Sequence, residues 1–428
     1  MTFVRMGCCN SPMRVNGLTG FTSWPLSKTL LGLVEHLQSI YSIPDPGGFL
    51  VTLATYLVHT RPGVSLWTML VGGPSTGKTE LINLTAGLPN VHWISTLTPA
   101  ALLSGSKRKE WAPGTKGGLL NEIGECGFLA FKDFTSILDM EHKLRPTLLT
   151  ALREIHDGRW DRPVGTDGAR TISWQGKVGL IAACTSVIDD YHDVMNSAGP
   201  RFILYRLPQP DLFQQRKMAT QARSNNRDAQ YTERRQALIE AVAEFIKQLS
   251  AEIPPGIDWE DYGECVDSIA LFSSRCRSQV TRVRSSHQIA TVHDAEGCAR
   301  IAGQLDKLQL GLCMIGVEPF QAFQLVRKTA FDCIPPLRYK VLKVLYHGPA
   351  SGFDMPTIKT ECKRDACNSS VEYAVEDLCC HDVVRRSGSR GNYHYTIGSE
   401  WLELWNRAPE GMVISPKDDR VVPIRKAL

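Results

Sequence analysis

Trp67-Thr68-Met69-Leu70-Val71-Gly72-Gly73-Pro74-Ser75-Thr76-Gly77-Lys78-Thr79-Glu80-Leu81-Ile82-Asn83-Leu84 is the stretch from which the rest of the chain is read. Its first five residues form a β-prone apolar run, and its last five carry apolar side chains at helical spacing, so a strand enters and a helix leaves. Between them, Gly72 to Thr79 satisfies G-x-x-x-x-G-K-[ST], the loop whose backbone N–H groups wrap a polyphosphate. Glycine lets the backbone turn inward, and the N-terminal end of the following helix places positive potential where phosphate oxygens would lie. On this pattern Gly72, Gly73, Pro74, Ser75, Thr76, Gly77, Lys78 and Thr79 hold ATP, with Lys78 at the β and γ phosphates and the Thr79 hydroxyl on Mg²⁺.

Outward from this loop, short apolar runs alternate with helical patterns between Ser65 and Pro208. Leu66 to Val71, Val91 to Ile94, Gly127 to Phe131 and Val178 to Ala183 are the strand candidates. Such alternation predicts an α/β fold, a mostly parallel sheet covered by helices. Upstream, Leu30 to Ile40 and Phe49 to Val58 read as a helical pair split by the turn Pro44-Asp45-Pro46-Gly47-Gly48, placed to flank the nucleotide. The segment 1–24, rich in Gly, Ser and Asn, reads as a disordered leader. Residues 25–208 hold the helical pair and the α/β core, 209–330 a separate helical lid, 331–405 a further module and 406–428 a loose tail.

With 428 residues, of which 43% are hydrophobic, the chain has material for two or three domains. A net charge of +4 is small for this length, so affinity for nucleic acid or membrane has to come from local patches. No apolar run reaches the about 18 residues a spanning helix needs, and Met1 to Asn16 lacks the apolar stretch of a secretory signal, so no membrane partner and a cytoplasmic location are expected. Thirteen cysteines form no regular framework, and Cys184 and Cys313 sit in apolar segments, which fits a reducing compartment. Cys362, Cys367, Cys379, Cys380 and His381 lack the paired C-x-x-C spacing of zinc sites and read as helix packing.

A second element of nucleotide chemistry is an apolar strand ending in acid, and Gly127-Phe128-Leu129-Ala130-Phe131-Lys132-Asp133-Phe134 supplies it. Asp133 is the metal or water-activating carboxylate. Two adjacent acids usually close such a strand, yet Lys132 or Phe134 occupies the second place, so binding is read more directly than hydrolysis. Glu122, Glu125 and Asp139 are the alternatives for the missing acid.

From Gly117-Gly118-Leu119-Leu120 onward the order of elements resembles the AAA+ ATPases that carry a hairpin before the first sensor, a branch that includes minichromosome maintenance helicases and bacterial enhancer-binding activators. The acidic strand matches with Lys132 where an aspartate is usual, and Leu148 to Trp160 resembles the helix that follows. Arg162 to Ile172 is similar to the hairpin, with Gly165 and Gly168 at its tip, and Val178 to Thr185 to the sensor strand. The resemblance implies that Thr185 contacts the γ-phosphate or the water. It implies that Arg201, in Gly199-Pro200-Arg201-Phe202, is an arginine finger offered to a neighbour's ATP, with Arg206 in reserve. It also places Arg300, in Cys298 to Leu305, near the γ-phosphate as the second sensor. A shared site implies a homo-oligomeric ring, and hexamers are the family's habit.

Leu337 to His347, Asp354 to Cys362 and Ser369 to Cys379 read as three helices, followed by a hairpin turning at Ser387-Gly388-Ser389-Arg390-Gly391. That order resembles a winged helix-turn-helix domain. It implies Arg385, Arg386 and Arg390 beside DNA phosphates on the wing, and Asn368, Ser369, Ser370 and Tyr373 at the start of a recognition helix, whose Glu372 and Glu376 oppose a strong electrostatic grip. Arg162 and Arg170 would line a channel for DNA. The expected function is an ATP-driven motor on DNA, helicase- or translocase-like, serving replication or a mobile element such as a phage. A protein remodeller or transcription-type switch is the alternative, disfavoured because the activators' Gly-Ala-Phe-Thr-Gly-Ala loop does not occur. A third reading is an ATP-binding switch with little turnover, suggested by Lys132 beside Asp133.

Overall fold

All five residues of β1 (Trp67–Val71) are buried, which marks a central strand. Trp67, Met69 and Val71 point into one hydrophobic core and Leu70 into another, so apolar layers cover both faces of the sheet. This is a computed structural model that describes residues 27–104, 117–141, 143–164, 170–192, 195, 201–249, 260–283, 285–409, 412–414 and 421–423. The expected leader, the hairpin tip at Gly165 and Gly168, and Gly199-Pro200 lie outside the described residues.

β1 is joined by β2 (Val91–Ile94), β3 (Cys126–Phe131), β6 (Lys177–Cys184) and β7 (Ile203–Arg206) in the order β2-β3-β6-β1-β7, every pair parallel. The chain runs from β1 to the far edge, returns through β3 and β6, and then crosses to β7 on the other side. The carboxyl end of β1 is therefore a switch point, where an open α/β sheet forms a crevice. A two-stranded antiparallel hairpin, β4 (Arg159–Val164) and β5 (Arg170–Gln175), leaves from the opposite end, just before β6.

On one face lie α1 (Lys28–Ile40) and α2 (Gly47–Leu57), with helices Tyr231–Gln248, Ala299–Met314 and Pro319–Asp332. These share one core, in which Leu305, Leu308 and Leu312 meet Phe49, Leu53 and Ala130. Within segment 209–330, expected as a separate lid, these three helices thus share a core with the sheet. Gly311 shows how closely, since a Cβ there would come within 2.7 Å of the Ala54 carbonyl oxygen. The other face is covered by helix Leu144–His156 and shorter turns.

Helices Pro336–Tyr346, Met355–Cys362 and Asn368–Cys380 pack against a three-stranded antiparallel sheet with Asn392–Ile397 between Phe353–Asp354 and Val384–Ser389. Their core takes in Phe272 and Phe331 from the preceding helices. Fully buried Trp405 stacks on Phe331 at 5.0 Å and on Tyr346 at 4.9 Å between ring centroids, fixing the module to its neighbour. Cys362 belongs to this core, and Cys367 stands exposed before helix Asn368–Cys380. The tail expected to be loose contains a strand pair, Met412–Ile414 with Val421–Pro423, and Ile414 is buried in the main core. Its β-branched valines carry the signal that the polar flanks obscured. No helix among the described residues is long and apolar enough to cross a membrane.

Candidate nucleotide site

Gly72 leaves the carboxyl end of β1 and its N–H donates to the Cys184 carbonyl at 3.2 Å, tying the loop to β6. The backbone then turns through left-handed conformations at Ser75 (φ 60°) and Gly77 (φ 88°), the second of which glycine adopts without strain. The Thr76 hydroxyl donates to the Gly73 carbonyl at 2.9 Å, and α3 (Lys78–Asn83) begins at the lysine. Lys78 is buried, and its Nζ donates to the carbonyls of Gly72 (2.8 Å) and Gly73 (2.6 Å). Burial lowers its pKa, against the pull of Cys184 and Asp133, so those groups lie within electrostatic reach. A cavity of about 730 Å³ opens over the loop, lined also by Tyr41, Ile43, Gln215, Met218, Asn225 and Tyr231. Small-molecule sites span about 300–1,000 Å³. Of the helical pair expected to flank the nucleotide, the end of α1 and the residues just after it line this cavity, at Ile40, Tyr41, Ser42 and Ile43.

Asp133 is exposed at the end of β3, and its Oδ1 accepts the Thr135 N–H at 3.0 Å. Lys132 is drawn toward β2, with its ammonium 5.1 Å from the centre of the Trp93 ring. The exposed Thr79 hydroxyl and the Asp133 carboxylate are hard oxygen donors, and Mg²⁺ commonly takes one or two carboxylates and keeps several waters, so this set fits that ion. Glu122 and Glu125 precede β3 and stand at the end of the sheet remote from the loop, while Asp139 follows the helical turn that starts at Thr135.

Thr135 itself escaped the sequence reading, although a hydroxyl two residues past the acid was the signal. The Phe134 N–H donates to the Ala183 carbonyl at 2.7 Å, locking the end of β3 to β6. This brings the Thr135 hydroxyl 3.5 Å from that of Thr185 and 3.7 Å from the Cys184 sulfur. An O–H···O bond is about 2.7–2.8 Å long, so both hydroxyls keep capacity for a third oxygen. Arg235, on helix Tyr231–Gln248, was also missed: with the Tyr41 hydroxyl it donates to the carboxylate of Glu80, the residue after Thr79.

Arg201 and Arg300 lie elsewhere, within electrostatic reach of each other. Ile203 pairs with Thr68, so Arg201 lies below the foot of β1, and at about 3.3 Å per residue that is roughly 15–20 Å from the loop. Arg201 is buried and donates to both carboxylate oxygens of Asp157, from Nη2 at 2.6 Å and from Nε at 3.2 Å. Burial pushes the Asp157 carboxyl up, but hydrogen bonds from Arg201 and His156 outweigh it and hold it below the usual carboxylate range. Burial, and then the charge of Arg201, lowers the pKa of Arg300, which also lies near Asp157 and Glu296. Gln304, one turn past Arg300, donates to the Arg201 carbonyl at 2.6 Å and docks this helix at the foot of β7, away from the phosphate loop of the same chain. Arg206 is at the loop end, level with Val71, and forks onto Asp189 at 2.9 and 2.7 Å.

The residues assigned to DNA divide. The half-buried Arg162 guanidinium bonds the carbonyls of Leu103 and Pro99 and so anchors the β4–β5 hairpin. Arg170 is exposed. Arg385 pairs with Glu400 at 2.5 Å, Arg386 lies 4.4 Å over Tyr393, and Arg390 is exposed at the turn. Asn368 and Ser369 are exposed, but farther along that helix the face is covered. Arg282, from the hairpin Val280–Arg282 and Ile289–Val292, bonds Glu376 (2.9 Å) and Asp377 (2.7 Å) and lies over Tyr373, on which His287 also stacks.

Comparison with known protein families and with curated proteins finds no match. Among solved structures, the A form apo structure of the NrS-1 C-terminal region is similar at a TM-score of 0.23 and 9% identity, over 88% of this chain and 77% of that one, a likeness too slight to carry an argument.

Proposed function

We propose that this chain binds ATP with Mg²⁺ on the loop Gly72 to Thr79, hydrolyses it, and uses the turnover to act on DNA, as the AAA+ branch it resembles would. The observation that carries the reading is the loop itself, with its left-handed Gly77, its buried Lys78 and a cavity of about 730 Å³, placed at the switch point of a parallel sheet. Backbone N–H groups receive the phosphate oxygens, and Lys78 exchanges the Gly72 and Gly73 carbonyls for them. Mg²⁺, held by Thr79 and Asp133, would offset charge on the phosphates. The Thr135 and Thr185 hydroxyls would orient the attacking water. A homo-oligomeric ring, six-membered by analogy with that branch, would bring the partly exposed Arg300 to a neighbour's phosphates, with Arg201 held behind it by Asp157. Arg170, Arg385, Arg386 and Arg390 would meet DNA phosphates through a winged-helix module.

The test is ATP titration and turnover, with and without single- and double-stranded DNA, for the wild type and Lys78→Ala. Binding that is lost in Lys78→Ala, and turnover raised by DNA, are expected; no ATP binding by the wild type refutes the proposal. A second reading, a protein remodeller, is favoured by the exposed Leu212 and Phe213 beside the cavity, 80% and 74% accessible. Turnover raised by a protein partner and not by DNA would select it.

A further inference from the structure

Glu80 follows Thr79 directly and lies in the first turn of α3. An acid in a first turn normally suits the positive helix end. Here the same end is the place for a polyphosphate, so an uncompensated Glu80 would repel the ligand. The structure shows how its charge is answered. Its Oε2 accepts the Tyr41 hydroxyl at 2.9 Å and two donors of Arg235, Nη2 at 3.1 Å and Nε at 3.2 Å. Nε of Arg235 also donates to the Tyr41 oxygen at 3.0 Å, closing a three-residue cluster. Tyr41, Glu80 and Tyr231 all line the cavity over the loop. Burial, and then the negative charge of Glu80, raises the Tyr41 pKa, so the phenol remains a donor.

Arg235 arrives from a distant part of the chain, on a helix whose Leu238, Ile239 and Val242 are in the main core. That helix has little freedom where it passes the turn Leu84–Gly87 that follows α3, because a Cβ on Gly87 would come within 3.0 Å of Ile239 Cγ2. The guanidinium is therefore delivered to Glu80 by packing and is not a surface pair formed in passing. Glu80 and Arg235 side chains are each 34% accessible, so the pair is only partly screened.

We infer that Arg235 is a positioning residue for the triphosphate: by cancelling the Glu80 carboxylate it makes the affinity for ATP depend on docking of helix Tyr231–Gln248 against the phosphate loop. The inference rests on the loop being an ATP site and adds to it the charge balance that the site requires. An exposed carboxylate within about 8 Å of phosphate charge, at an effective dielectric of about 40, weakens binding about tenfold.

The experiment is ATP titration by calorimetry, at low and high salt, of the full chain and of Arg235→Ala, Arg235→Lys, Glu80→Gln and the double variant Glu80→Gln/Arg235→Ala. Arg235→Ala is expected to weaken ATP about tenfold at low salt and less at high salt. Arg235→Lys keeps the charge and most of the affinity, and the double variant recovers the affinity because the repelling charge is gone. If the double variant binds as weakly as Arg235→Ala, the arginine acts through packing alone and the inference is overturned. It is overturned equally if Arg235→Ala binds as the wild type does. Failure of the site reading has a different signature, a wild type that does not bind ATP or a Lys78→Ala variant that binds it equally well.

Discussion

Replacing Asp157 by alanine tests whether the arginine at the foot of β7 is a structural charge or a free one. The Arg201 side chain is 10% accessible and Asp157 49%, and the carboxylate receives two guanidinium bonds, at 2.6 and 3.2 Å. Removing it takes both of these bonds from a buried cation that also lies within electrostatic reach of Arg300, a charge of the same sign. Breaking a buried pair costs about 3–5 kcal/mol, and water reaching the half-exposed Asp157 position reduces this to about 2–3 kcal/mol. The converse change, Arg201→Met, leaves a carboxylate that water can solvate and keeps most of the packing, so it costs about 1 kcal/mol. In the double variant the two costs should fall short of their sum by about 1–2 kcal/mol. Urea unfolding followed by tryptophan emission is a suitable assay, because buried Trp67 packs edge-on to His156 at 5.1 Å and against Phe202 at 5.3 Å, beside this pair. If Asp157→Ala unfolds within about 0.5 kcal/mol of the wild type while Arg201→Met lowers only turnover, the reasoning fails and Arg201 is free to serve a neighbouring subunit.

Three further outcomes are expected. His59 and His156 have pKa values lowered, by burial first, so the unfolded chain takes their protons before the folded one does. Their contribution is therefore constant above the ordinary histidine value of about 6.5 and stability falls as pH drops below it; an unchanged urea midpoint between about pH 7.5 and about pH 5.5 would contradict this. Thr135→Val should lower the ATP turnover number about tenfold or more with ATP affinity kept, and Thr135→Ser should restore it, which steady-state kinetics beside a binding titration will show. Arg282→Ala removes the cation that covers Tyr373 and bonds Glu376 and Asp377; it should raise proteolytic cleavage in the hairpin after Val280 and expose the helix face, with stability lowered by about 2 kcal/mol because Asp377 is partly buried.

What could be read from residue order alone is what consecutive residues determine. The strand at Trp67–Val71, the loop to Thr79 and the helix after it need only local spacing and glycine placement, and the other three strand candidates fall within a residue or two of β2, β3 and β6 for the same reason. The three helices and hairpin near the C-terminus were legible on the same basis. The edge strand β7 was not, being four residues of mixed character, Ile203–Arg206, whose place is set by pairing with β1. Partnerships were beyond reach because they join residues far apart in the chain. Arg201 meets Asp157 across 44 residues, Thr135 meets Thr185 across 50, Arg282 meets Asp377 across 95 and Arg235 meets Glu80 across 155. An arginine has the same charge and length whether it faces solvent, a carbonyl or a carboxylate. Only the register of the sheet and the close packing of helices on it decide which of these it meets, and so which arginines are structural and which are left for a ligand.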